Sequence, residues 1–200
     1  HICGAWTHQI LHGAHPGANF PWPLLSMFRR VQLNFSPGEV AWYPPAFGRL
    51  MAHCFGRHEV IFQLRQDGRN PVFDAIMTGS PGLSGIQAAP LFDSSGGRGL
   101  APDIWPTPER MNTEHDISWG YAGGLRPENL GLQLPLISVA SSGMEYWIDM
   151  ESGVRTSDKQ FFSIPRVLEC LDTIDEIRLE LEYEEIPNEK LDPGWGAPCN

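Results

Sequence analysis

Long apolar runs are absent from this 200-residue chain. Nothing approaches the roughly 20 residues that a bilayer-crossing helix needs, and no charged-then-apolar signal segment is visible, so a cytoplasmic protein is expected. Basic charge is also scarce: 14 Lys and Arg face 24 Asp and Glu, for a formal net charge of −10. A nucleic-acid surface needs clustered cations, so that class of partner is not expected, and neither is a membrane. A small anionic ligand stays open, because backbone N–H groups in glycine-rich turns bind phosphate in acidic proteins as well. The four cysteines, Cys3, Cys54, Cys170 and Cys199, form no CxxC pair and no metal-finger spacing. They read as reduced thiols, and no metal site is expected from them. No GxSxG elbow and no GxGxxG fingerprint occur, which removes the usual signatures of an α/β-hydrolase and a dinucleotide enzyme. No organic cofactor is expected.

What the chain does contain suits one globular domain. Its hydrophobic fraction is 42%, close to that of ordinary folded proteins, and its length supports a substantial core. It opens at His1 and runs at once into the apolar Ile2-Cys3-Gly4, which is expected of a truncated N-terminus.

Three segments share one design, an apolar run ending in a glycine-rich turn. They are Pro90 to Gly99, Trp119 to Leu125, and Tyr146 to Gly153. Each reads as a buried strand running into a loop where glycine lets the backbone approach a ligand closely. Their near-equal spacing suits successive strand–helix units of a parallel β/α fold, which places ligand sites at the strand ends.

Upstream, Ile2-Cys3-Gly4, Val31 to Phe35 and Val60 to Leu64 are further strand candidates. Helices are expected from His8 to Leu11, from about Ala46 to Phe55, and after Asn70-Pro71, which cap and begin a helix that Gly79 closes. Two more should open at Arg126-Pro127 and Ser163-Ile164-Pro165, the latter burying Val167, Leu168, Leu171 and Ile174 on one face. Leu179, Leu181 and Tyr183 alternate as a short strand would. The domain reading is a single β/α barrel over residues 1–175, then an acidic, Pro/Gly-rich tail over 176–200. Six strands alternating with helices predict a parallel (β/α)₈ barrel of the TIM type, short of its first one or two strands; an open doubly wound sheet is the alternative.

The glycine-rich segments resemble the last three strand–loop units of phosphoribosylanthranilate isomerase. The likeness lies in Leu91-Phe92-Asp93 with Gly96-Gly97-Arg98-Gly99, in Ala122-Gly123-Gly124-Leu125-Arg126-Pro127-Glu128-Asn129, and in Asp149-Met150-Glu151-Ser152-Gly153-Val154. Val31-Gln32-Leu33 resembles that family's fourth strand. The resemblance implies a (β/α)₈ barrel that performs an Amadori, aldose–ketose isomerisation of a phosphorylated sugar derivative in tryptophan biosynthesis, without a cofactor. It implies that Asp93 is the general acid, and that Gly97, Arg98, Gly99, Gly123, Gly124, Ser152 and Gly153 hold the substrate phosphate. Ile2-Cys3-Gly4 matches the family's ICG segment, making Cys3 the general base; by position it reads instead as the third strand, since no room for two strands separates Gly4 from Arg30.

Other readings stand beside these. Asp149 and Glu151 lie two apart, on one face of a strand, and could serve as additional acid/base groups, bind a divalent cation, or accept loop amides. Asp93 could simply cap the following turn. His8, His12 and His15 are helically spaced, but Gly13 and Pro16 interrupt the helix, so they read as surface histidines. The expected function is therefore isomerisation of a small phosphorylated sugar ligand. A non-catalytic barrel of the same ancestry, binding a phosphorylated ligand or a protein partner, is the second reading.

Overall fold

A computed structural model describes residues 1–12, 17, 19–34, 51, 53–64, 70–79, 83, 85–93, 99–108 and 118–184. Five strands form one sheet in chain order: β1 (Arg30–Gln32), β2 (Glu59–Leu64), β3 (Gln87–Asp93), β4 (Trp119–Ala122) and β5 (Tyr146–Asp149). Every neighbouring pair is parallel. Ile2 adds a single parallel bridge to Leu33, just beyond β1, so the Ile2-Cys3-Gly4 segment lies beside the Val31-Gln32-Leu33 strand, where the third-strand reading puts it. The six expected strand positions are thus all occupied, one of them by a lone bridge. Among the described residues the sheet is a five-stranded, all-parallel, curled half-barrel, compatible with a partial (β/α) barrel. The doubly wound alternative is set aside, since sequential order leaves no point at which the strand order reverses.

One contact measures the curl. The Arg30 guanidinium, on β1, lies 4.3 Å from the centroid of the Trp147 ring on β5. Strands in a sheet are spaced by about 4.8 Å, so in a flat sheet β1 and β5 would stand about 19 Å apart. Two side chains meet across that span only if the sheet bends its edges toward each other.

Strand alternation divides the core in two. Val31, Val60, Phe62, Leu64, Phe92, Trp119 and Tyr121 join the main core with the helices. Ile61, Ala89, Leu91 and Ala122 form a second cluster on the concave face, covered by Trp147. That indole can lie there because residue 120 is glycine: a Cβ at Gly120 would overlap the Trp147 ring.

Helices α1 (Ala5–Leu11), α2 (Trp22–Leu25), α3 (Pro71–Met77), α4 (Pro127–Ala140) and α5 (Ile164–Glu184) pack on the convex side, and residues 51 and 53–55 are also helical. The Asn70 side chain caps α3 by accepting the Val72 and Phe73 N–H groups, and Gly79 follows it at φ 68°. Both signals were legible in the sequence. Two expectations about α5 need correction. Its core-facing stripe is buried Cys170 with partly buried Val167, Ile174 and Ile177, while Leu168 and Leu171 are exposed; the 3-4-3 spacing of that stripe is the one facing the core. The proposed strand at Leu179, Leu181 and Tyr183 is part of the same helix. Its Leu, Glu and Arg residues are good helix formers, and short period-two alternation does not by itself oppose a helix. Among the described residues no helix is long and apolar enough to cross a membrane.

Candidate functional site

A cleft of about 300 Å³ opens at the C-terminal ends of the strands. Asp93, Gly99, Gly123, Gly124, Asp149, Glu151 and Ser152 all line it. Gly153 lines the adjoining cavity, and Gly97 and Arg98 lie outside the described residues. Cys3 is exposed and lines neither. His15 lies outside the described residues, while the His8 and His12 rings meet edge to face at 4.3 Å. No metal-holding cluster of His, Cys, Asp and Glu occurs among the described residues.

The three glycine-rich turns meet one another. A Cβ on Gly124 would collide with the Ala101 amide and the Gly99 carbonyl, and one on Gly153 with the Leu125 carbonyl. A Cβ on Gly99 would stand 3.2 Å from the Ser152 hydroxyl. Backbone therefore packs on backbone where the loops after β3, β4 and β5 join, with Gly99 and Gly124 at φ 69° and 61°. Few other residues adopt that conformation readily. Asn129 fixes the middle turn: its Oδ1 accepts the Arg126 N–H at 2.9 Å, and its Nδ2 donates to the Gly124 carbonyl at 2.9 Å.

Asp93 and Asp149 stand at one level of the sheet on either side of Ala122 of the intervening strand, and both line the cleft. Gln63, reaching from β2, donates from Nε2 to Asp93 Oδ2 at 2.9 Å. Burial pushes the Asp149 carboxyl above its ordinary range; the charges of Glu151 and Asp93 add to the rise, and the terminal amino group opposes it. Glu151 is turned toward Arg155, whose Nη2 donates to Oε1 at 2.8 Å, and its other oxygen lies 4.0 Å from His1 Nδ1. The Glu151 carboxylate is thereby partly neutralised.

Beyond the glycine junction lies a second cavity, of about 480 Å³, sharing Gly99, Gly124, Leu125 and Ser152 with the first. Arg126, Arg155, Lys159 and Arg166 line it. No sequence pattern singles out any of the four as a site residue. Residues 126, 155, 159 and 166 are spread over forty positions with no motif linking them; the packing of α5 beside α4 and the short 3₁₀ turn Ser152–Val154 brings them together.

Comparison with known protein families, with curated proteins and with solved structures returns no match for this chain.

Proposed function

We propose that this protein is an aldose–ketose isomerase acting on a phosphorylated amino-sugar, in the manner of phosphoribosylanthranilate isomerase. The observation that carries the reading is the pairing of two carboxylates, Asp93 and Asp149, in a cleft whose glycine wall opens onto a cationic cavity. The sugar lies in the acidic cleft. Its phosphate is held at the junction, by backbone N–H groups around Gly99, Gly124, Ser152 and Gly153. Gly97, Arg98 and Gly123 complete that set in the motif resemblance.

An Amadori rearrangement needs a proton delivered to the sugar ring oxygen as the C1–O bond opens. It then needs a proton taken from C2 to give the enolamine, which tautomerises to the ketose. Environment divides these tasks. The raised Asp149 carboxyl retains its proton more readily and serves as the acid. Asp93, with one oxygen held by Gln63, serves as the base. This reverses the role that resemblance alone gives Asp93, and it leaves no part for Cys3.

The reading is tested first by binding. Titration of the protein with inorganic phosphate, followed by ³¹P NMR, should show saturable binding that Gly124→Ala weakens, because that substitution forces the junction apart. Absence of phosphate binding would remove the phosphorylated substrate from the proposal and leave a binding role for some other ligand.

A further inference from the structure

The cationic cavity is richer in charge than one phosphate at the junction requires. Four cations line it against a single lining carboxylate, Glu128, among the described residues, in a chain of net charge −10. Two of the four are committed. Arg166 grips Glu128 with both terminal nitrogens, at 2.8 and 2.9 Å, and donates from Nε to the Gly153 carbonyl at 2.9 Å. Arg155 pairs with Glu151 at 2.8 Å. Arg126 stands at the outer limit of an ion pair with Glu128, 4.0 Å away. Lys159 forms no ion pair among the described residues.

Lys159 is also displayed by design of the backbone. It occupies a left-handed conformation, φ 59°, at the tip of a turn closed on itself. The Lys159 N–H donates to the Thr156 carbonyl at 2.7 Å, the Thr156 N–H to the Phe161 carbonyl at 2.8 Å, and the Gln160 N–H to Asp158 Oδ1 at 3.0 Å. Asp158 also accepts the Thr156 hydroxyl at 2.5 Å, so the nearest further carboxylate is occupied by the turn itself. Thr156 and Ser157 line the same wall.

We infer that this cavity receives a second phosphoryl group, so that the site also accepts a ligand carrying a diphosphate where the isomerase reading alone asks for a monophosphate. The inference rests on that reading for the first phosphate. A phosphate at the junction touches the residues that both cavities share, whereas Arg155, Thr156, Ser157 and Lys159 line only the outer one. A directly attached second phosphoryl group extends toward them, where Lys159, Arg126 and the Ser157 hydroxyl can donate to its oxygens. Charge-assisted hydrogen bonds of this kind are about twice as strong as neutral ones.

The test compares inorganic phosphate with inorganic diphosphate by calorimetric titration at one fixed ionic strength. Diphosphate should bind at least about 10-fold more tightly than phosphate. Lys159→Asn, chosen because asparagine tolerates the left-handed conformation, should abolish that preference and leave phosphate affinity unchanged. Arg155→Gln, which removes a second lining cation, should lower the preference independently. Phosphate binding without a diphosphate preference, or a preference that survives both substitutions, overturns this inference and leaves the isomerase reading standing. Failure of both anions to bind overturns the phosphate site of that reading and this inference together.

Discussion

The Trp147 indole lies directly on Gly120, filling the space in which a side chain at that position would project. This contact sets the floor of the half-barrel beneath the acidic cleft, with Ile61, Ala89, Leu91 and Ala122 packed around it. Gly120→Ala must displace the indole or the strand, and overpacking of this kind costs about 1–3 kcal/mol. Urea unfolding followed by tryptophan fluorescence should report both the lost stability and a changed indole environment. Gly131 offers the contrast: it sits within α4, where a Cβ would meet only the Thr173 methyl at 3.9 Å. Gly131→Ala should stabilise by roughly 0.5–1 kcal/mol through helix propensity.

Arg30 on β1 reaches Trp147 on β5 across the curl. It donates to Glu59 from Nε at 2.6 Å and from Nη2 at 3.0 Å while stacking on Trp147. Both partners are partly exposed, at 32% and 25%, which limits the ion pair through solvent screening. Arg30→Met should cost about 1 kcal/mol, from the combined loss of the forked pair and the cation–π contact. Arg30→Lys should recover little of it, because an ammonium can neither form the fork nor stack flat. Thermal unfolding of the two variants beside the parent chain decides this.

The pH dependence of stability should carry the mark of Asp149. A carboxyl raised in the folded state binds its proton more tightly there than in the unfolded chain. Its contribution is therefore present below the ordinary value of 3.8 and is lost as pH rises through the folded value. Above that folded value the ionised, half-buried group opposes folding. Asp149→Asn should raise the unfolding midpoint at pH 7, and the gain should shrink as pH falls toward the ordinary carboxylate range. A gain that is constant across this range would contradict the assignment.

Loss of the α3 cap should be local and measurable. Asn70 accepts the Val72 and Phe73 N–H groups and donates from Nδ2 to the Gln63 carbonyl at 3.0 Å. Asn70→Ala should destabilise by about 1 kcal/mol. Because the Gln63 side chain positions Asp93, the same variant should also lower any turnover more than a remote cap would.

Local signals made much of this fold legible. Apolar runs ending in glycine located β3, β4 and β5, and Asn70-Pro71 and Gly79 bracketed α3 correctly. The meeting of Gly99, Gly124 and Gly153 follows from parallel strands, which present all their C-terminal ends on one face. What stayed hidden depends on contacts between distant segments. The curl that joins Arg30 to Trp147 has no local signature, and neither does the gathering of Arg126, Arg155, Lys159 and Arg166. The stripe on α5 was misread because Leu168 and Leu171 are apolar yet lie beside the packed face, not on it.

Turnover tests the central claim most directly. Phosphoribosylanthranilate, monitored by loss of its fluorescence, should be isomerised by the protein. Asp93→Asn, which keeps an oxygen able to accept the Gln63 N–H, should bind phosphate normally yet turn over roughly 10²-fold more slowly. Asp149→Asn should do the same, and Cys3→Ser should leave the rate unchanged. The account predicts turnover that depends on both carboxylates. It is contradicted if the unmodified protein, at concentrations equal to the substrate, leaves the fluorescence undiminished.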